Sequence, residues 1–125
     1  MKRIALCVVV GVLLITMIPG VASAATFTCF SVPCNGTNHA DTIFEFPANG
    51  FNDIINGRGG SDTIRAEDFT NDRDRLFGGS ANDRINARDN DNRDFVSCGK
   101  GKHDVAILDK GDNVNHRNCE SIRRG

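Results

Sequence analysis

Aspartate residues recur along this chain in two regular series. The first has a constant interval of 21 residues and comprises Asp41, Asp62, Asp83 and Asp104. The second has intervals of 21, 20 and 18 residues and comprises Asp53, Asp74, Asp94 and Asp112. If each interval returns the chain to the same place in a stack of strands, successive carboxylates lie about 4.8 Å apart. Calcium–oxygen bonds place two opposite ligands about 4.6–5.2 Å apart, whereas magnesium bonds are shorter. The spacing therefore predicts Ca2+ binding.

The repeat also indicates the elements that position these carboxylates. Periods of about 20 to 50 residues are typical of solenoids. Two aliphatic columns would fill the interior, Ile43, Ile64, Ile85 and Ala106 in one and Ile55, Leu76, Val96 and Val114 in the other. No segment has the period of an amphipathic helix. The sequence predicts an all-β fold, a short parallel β-roll or β-solenoid of about four coils over residues 36–114, with small caps at residues 25–35 and 115–125.

Two segments of the repeat region share a glycine-rich motif that we expect to form turns. They are Gly57-Arg58-Gly59-Gly60-Ser61-Asp62-Thr63-Ile64 and Gly78-Gly79-Ser80-Ala81-Asn82-Asp83-Arg84-Ile85. They resemble the nonapeptide G-G-x-G-x-D-x-U-x of RTX proteins, the haemolysin-type calcium-binding repeats. The resemblance covers residues 36–114. It implies a parallel β-roll in which glycine carbonyls and aspartate carboxylates of successive turns bind Ca2+.

The resemblance also implies a set of calcium ligands along one edge of the coils. The best matches to the motif are Asp62 with Gly57, Gly59 and Gly60, and Asp83 with Gly78 and Gly79. Weaker matches are Asp41 with Gly36, and Asp104 with Gly99 and Gly101. The sequence departs from the motif at Arg58 and Ala81, which occupy glycine positions.

The turns at the opposite edge are longer and rich in Asn and Asp. The turns that precede Asp53, Asp74 and Asp94 lack the glycine pair, so these three aspartates are weaker candidates for metal binding. Arginines accompany them along the chain: Arg73, Arg75, Arg84, Arg88 and Arg93. An arginine fork can bridge two carboxylates. Our hypothesis is one calcium-binding edge and one edge largely neutralised by arginine. The alternative for both edges is an Asx capping role without metal.

The N-terminal residues have the pattern of an export signal. Basic residues at positions 2 and 3 precede an apolar stretch over residues 4–18, and Ala22-Ser23-Ala24 fits a cleavage site. A retained membrane anchor is the alternative, because the apolar stretch approaches spanning length. We predict a signal peptide over residues 1–24, a secreted mature chain and no membrane insertion after cleavage.

Four cysteines follow the predicted cleavage site, an even number that suggests two disulfides in an exported protein. Three pairings are possible. We expect Cys29–Cys34 and Cys98–Cys119, because each pair lies within one local segment. The second pair has the same separation as the first aspartate series, which places its members one above the other in a coil of that length.

Charge and composition narrow the function classes. Removal of residues 1–24 would leave 13 basic against 16 acidic side chains, which gives no basic footprint for nucleic acid. No nucleophile motif is present, and regularly repeated carboxylates suit ligands better than a single active site. We predict a secreted, non-catalytic calcium-binding protein, for which a cell-surface or matrix component is a candidate partner. The alternative is an extracellular adhesion or ligand-binding solenoid stabilised by Asp–Arg pairs and disulfides, with little or no metal.

Overall fold

The computed structural model describes residues 24–29, 33–45, 50–66 and 71–125. The predicted signal peptide therefore lies outside the described residues except for its last residue. Residues 30–32 of the predicted N-terminal cap, and parts of two Asn- and Asp-rich turns, also lie outside them.

Within these ranges the chain forms short β-strands and no helix. In chain order they are β1 (Thr26–Cys29), β2 (Cys34–Asn35), β3 (Thr42–Glu45), β4 (Ile54–Gly59), β5 (Thr63–Arg65), β6 (Arg75–Ser80), β7 (Arg84–Ala87), β8 (Phe95–Lys100), β9 (Val105–Leu108), β10 (Asn113–Val114) and β11 (Ser121–Arg124). The all-β prediction is confirmed.

The strands belong alternately to two sheets. The odd-numbered strands form sheet 1, in the order β1-β3-β5-β7-β9-β11, and the even-numbered strands form sheet 2, in the order β10-β8-β6-β4-β2. Neighbouring strands are parallel in both sheets. The chain therefore changes sheet after each strand and returns one layer further along the stack, which is the predicted parallel β-solenoid.

The repeat interval sets the register of the strands. In sheet 1, Ile64 pairs with Ile43 on one side and with Ile85 on the other, and all three are fully buried. In sheet 2 the corresponding column is Cys34, Ile55, Leu76, Val96 and Val114. Side chains alternate between the two faces of a strand, so a slip of one residue would expose a whole column. The hydrophobic columns therefore fix the register that also aligns the aspartates.

Both predicted caps contribute strands to the solenoid. Phe27 in β1 pairs with Ile43, and Ile122 in β11 pairs with Ala106. The parallel pairing thus continues beyond the predicted repeat region at both ends, although these end segments lack the aspartate motif.

The two predicted disulfides are present. Cys29 is bonded to Cys34 with a Cα–Cα distance of 5.7 Å, and Cys98 to Cys119 with a Cα–Cα distance of 5.2 Å. The second bond fastens the C-terminal segment to sheet 2, in which Cys98 is fully buried. A closed loop of about 20 residues stabilises a fold by roughly 3 kcal/mol in the chain-entropy account.

The glycine-rich segments predicted as turns belong largely to strands. Strand β4 includes Gly57 and Gly59, and β6 includes Gly78 and Gly79. Parallel pairing between these strands continues as far as Gly59 and Ser80. The turns themselves are short, because only residues 60–62 separate β4 from β5.

One position in these strands has a left-handed backbone in three successive coils. Gly79 has φ of 114° and Gly99 has φ of 106°, and both align with Arg58, whose φ is 77°. A side chain at positive φ costs roughly 1–2 kcal/mol, a cost that glycine avoids. Arg58 therefore carries a local strain that the glycines of the next two coils do not.

Replacement of Arg58 by glycine is accordingly expected to stabilise the protein by about 0.5–1 kcal/mol. This corresponds to a rise of roughly 2–8 °C in the thermal midpoint for a domain of this size. Far-UV circular dichroism is the appropriate probe, because the chain has no Trp or Tyr. The control is Arg84→Gly in β7, where glycine should destabilise by about 0.5–1 kcal/mol. Equal destabilisation by both variants would contradict the interpretation.

Candidate metal centre

The first aspartate series forms a hydrogen-bonded ladder at the glycine-rich edge. The Asp41 backbone N–H donates to Oδ1 of Asp62 over 2.8 Å, and the Asp62 N–H donates to Oδ1 of Asp83 over 2.8 Å. The Asp83 N–H donates to Oδ1 of Asp104 over 2.6 Å. All four side chains are buried. The Oδ1 atoms of Asp62, Asp83 and Asp104 thus each accept a backbone N–H from the preceding coil. An Asx capping role requires hydrogen bonds of this kind.

The ends of this ladder use residues outside the series. Oδ1 of Asp41 accepts the Ala25 N–H over 3.2 Å, and its Oδ2 accepts the Thr37 N–H over 2.6 Å. At the other end, the Asp104 N–H donates to Oε2 of Glu120 over 2.8 Å. Glu120 takes the place of a further aspartate. The repeat could not reveal it, because it follows Asp104 by 16 residues and is a different residue type.

Glycines at this edge leave space for the buried carboxylates. A Cβ atom on Gly57 would collide with Oδ2 of Asp62, and a Cβ atom on Gly78 would collide with Oδ2 of Asp83. A Cβ atom on Gly36 or Gly101 would likewise collide with Oδ2 of Asp41 or Asp104. The other glycines predicted as ligands lie in β4, β6, β8 and the turn after β4: Gly59, Gly79, Gly99 and Gly60. The structure thus gives four of the predicted ligand glycines a packing role, and metal binding by their carbonyls stays a prediction.

The second oxygen of these carboxylates is buried and has no hydrogen-bond partner in the described part of the chain. This holds for Oδ2 of Asp62, Asp83 and Asp104. Burial is the main cause that raises the pKa of Asp62 to about 6 and that of Asp83 to about 7, and neighbouring carboxylates raise both further. Without a bound cation, ionisation of the carboxyl groups at this edge is therefore unfavourable.

The second aspartate series forms an equivalent ladder at the opposite edge. The Asp53 N–H donates to Oδ1 of Asp74 over 2.8 Å, and the Asp74 N–H donates to Oδ1 of Asp94 over 2.9 Å. The Asp94 N–H donates to Oδ1 of Asp112 over 3.2 Å. The longer turns of this edge then bring additional carboxylates toward the ladder, which the short turns of the glycine-rich edge do not.

The turn between β7 and β8 shows how the extra carboxylates are placed. Asn90 and Asn92 have positive φ, 76° and 64°, a conformation that asparagine tolerates. The Asp91 N–H donates to Oδ1 of Asp89, and the Arg93 N–H donates to Oδ1 of Asp91, each over 2.9 Å. These local bonds fold the turn so that the aspartates at 89 and 91 lie near the ladder.

Carboxylates converge at this edge in three groups. In each group, one oxygen per residue lies within 4.8 Å of the others: Glu45, Asp53 and Asp74; Asp72, Asp89 and Asp91; and Asp91, Asp94 and Asp112. Two of the groups share Asp91. Among the described residues, no such group includes an aspartate of the first series. The convergent carboxylate oxygens therefore lie on the edge that the sequence ranks second for metal binding.

Several oxygens in these groups are left without partners. Asp74 and Asp94 are 1% and 0% exposed, and in both the Oδ2 atom is buried with no hydrogen-bond partner among the described residues. Oδ2 of Asp91 is in the same condition. A buried carboxylate oxygen without a donor or cation is costly. A cation or a hydrogen donor beside these atoms would remove that cost.

The pKa values show the same unfavourable charge. Burial is the largest cause that raises the pKa of Asp94 to about 8, and the carboxylates of Asp74, Asp89 and Asp91 raise it further. Burial and neighbouring carboxylates likewise raise the pKa of Asp74 to about 7 and that of Asp89 to about 7. A cation among these groups would favour their ionised forms.

The arginines expected to neutralise this edge do not enter it. Arg73, Arg75 and Arg93 are all exposed. The causes that shift the pKa values of Asp74 and Asp94 are burial, backbone N–H groups and other carboxylates, with no arginine among them. The hypothesis of arginine neutralisation therefore finds no support at the two central positions of this ladder.

The donor set fits a hard divalent cation. The three groups contain carboxylates alone, without His or Cys. Oxygen ligands of this kind are those that Ca2+ and Mg2+ prefer, and Ca2+ accepts six to eight of them in flexible geometry. Two oxygens that share one Ca2+ can be up to about 5.2 Å apart, so every pair within these groups is close enough.

Comparison with known proteins leaves the family open: no protein-family model, curated protein or solved structure matches the chain. Within the described ranges, no helix is long and apolar enough to cross a membrane.

Proposed function

We propose that this protein is a secreted, non-catalytic β-solenoid that binds Ca2+ at its Asn- and Asp-rich edge. The observation that carries the proposal is the convergence of buried carboxylates there, with unpartnered Oδ2 atoms on Asp74, Asp91 and Asp94. Secretion rests on the N-terminal signal pattern and is supported by the two disulfides.

Three sets of residues would hold the ions: the Glu45, Asp53 and Asp74 group and the two groups that share Asp91. A bound cation would supply positive charge to carboxylates that otherwise repel one another. Because these groups come from different coils, binding would hold the coils together. Calcium would therefore stabilise the fold.

The proposal predicts that the Asp91→Asn variant loses calcium affinity by about tenfold or more, because Asp91 belongs to two groups. The measurement is isothermal titration calorimetry with Ca2+ on oxidised protein that has been freed of metal by a chelator. Asparagine retains the Oδ1 atom that accepts the Arg93 N–H, so the turn should keep its shape. A wild-type chain that binds no Ca2+ would refute the proposal.

The matched control is Asp62→Asn, which removes the same charge from the glycine-rich edge. If calcium binds mainly where the carboxylates converge, this variant should keep an affinity within about twofold of the wild type. Loss of binding in Asp62→Asn but not in Asp91→Asn would instead favour the ligands that the RTX resemblance implies.

A further inference from the structure

A second feature lies on the outer face of sheet 2, above the Asn- and Asp-rich edge. Here a groove of about 360 Å3 is lined by three arginines, Arg73, Arg75 and Arg93, together with Phe95. Asp53 and Asp74 also line it, but both are only 1% exposed. The groove therefore presents guanidinium groups to solvent, although the chain as a whole carries a net charge of −1.

The arginines come from adjacent coils, because Arg73 and Arg93 directly precede two consecutive aspartates of the ladder. Arg75 aligns with Phe95 in the neighbouring strand. The Arg75 guanidinium lies 5.7 Å from the ring centroid of Phe77 and 5.9 Å from that of Phe95. These ring contacts orient the guanidinium and leave its N–H edge free to bind an oxyanion.

The guanidinium groups have no acidic partner in the described part of the chain. The hydrogen bonds of Arg73 and Arg93 to side chains are made by their backbone N–H groups, to Asn52 and Asp91. Arg75 has ring contacts instead of an ion pair. Three guanidinium groups thus line one groove without an ion pair to the described residues, and Asp53 and Asp74 in its floor are almost fully buried. An anionic ligand would stabilise this arrangement.

We propose that this groove binds the carboxylate or sulfate groups of an acidic polysaccharide. Arginine forks bind such oxyanions through two parallel hydrogen bonds, and a half-exposed phenylalanine offers an apolar surface to a sugar ring. The groove is open and spans adjacent coils, which suits a polymer with repeated charges. Nucleic acid is disfavoured, because the chain lacks a broad basic surface.

The test is calorimetric titration with polygalacturonate, dextran sulfate and neutral dextran at about 0.15 M NaCl. We expect the wild type to bind at least one of the two acidic polymers and not the neutral one. The Arg73→Gln/Arg93→Gln variant should bind about tenfold more weakly or worse. The better of the two acidic polymers identifies the charged group. Absence of binding to both would overturn the proposal.

The matched control is Arg84→Gln/Arg123→Gln, which removes two exposed arginines from sheet 1. Its affinity should stay within about twofold of the wild type. Equal weakening in both double variants would show nonspecific attraction and overturn the proposal, as would equally tight binding of duplex DNA at the same groove. Titrations in chelator and in Ca2+ separate this result from calcium binding, which the Arg73→Gln/Arg93→Gln variant should retain.

Discussion

Alanine at Gly57 is expected to destabilise the solenoid by about 3 kcal/mol or more, at the upper end of overpacking effects. A Cβ atom there would collide with Oδ2 of Asp62 and with the backbone carbonyl oxygen of Gly78. Neither atom can move easily. Asp62 is buried and linked to Asp83 through its backbone N–H, and Gly78 belongs to a central strand of sheet 2. The thermal midpoint should fall by roughly 12 °C or more.

The control for this prediction is Gly59→Ala in the same strand. A Cβ atom on Gly59 would meet the Ser80 hydroxyl at 3.3 Å and the Asn38 Cα at 3.6 Å, contacts that a small side-chain movement relieves. Its midpoint should change by less than about 5 °C. Melting is followed by far-UV circular dichroism with the disulfides intact. Similar midpoints for the two variants would show that the carboxylate does not need the space at Gly57.

The fold could be predicted because the buried aliphatic residues and the aspartates recur at the same interval along the chain. Ile43, Ile64 and Ile85 recur at the interval of the first aspartate series and pair in register. The pleat then requires the aspartates two positions earlier to stack as well. Strand lengths were less predictable. The glycine-rich segments have the composition of turns, yet backbone pairing continues through them because glycine does not prevent it.

The convergent carboxylates could be predicted only in part. The interval identifies Asp53, Asp74 and Asp94, but it does not identify Glu45 or Asp72, which lie outside the ladders. Their positions depend on the paths of turns that differ in length from coil to coil. Repeats align strands, whereas a metal group at a turn depends on the local backbone conformation. The sequence gives one signal for these groups, the density of Asp and Asn in residues 89–94. From the sequence alone this edge nevertheless ranks second for metal binding, because its turns lack the glycine pair.

Without calcium, the protein is expected to lose stability as the pH rises from about 5 to about 8, the reverse of ordinary acid denaturation. The pKa of Asp94 is raised to about 8 and that of Asp74 to about 7, whereas unfolded aspartates titrate near 3.9. Between these values the folded chain holds protons that the unfolded chain has released. Unfolding therefore releases protons, and a rise in pH favours it.

These contributions are fully present below about pH 4 and are lost as the pH passes the folded pKa values. Because the carboxyls of this edge repel one another once ionised, their losses act in the same direction and overlap in pH. Calcium should cancel the loss, because a cation stabilises the ionised forms. We therefore expect a steep fall of the thermal midpoint in chelator between about pH 5 and pH 8 and a much smaller fall in excess Ca2+.

The Asp94→Asn variant separates this explanation from a general effect of pH. A neutral amide keeps an Oδ1 atom for the Asp74 N–H but removes the charge that burial opposes most strongly. In chelator at about pH 8 the variant should melt at a higher temperature than the wild type, and Ca2+ should raise its midpoint less. A wild-type midpoint that rises with pH in chelator would mean that the buried carboxylates are stabilised by other partners, and the need for a cation would disappear.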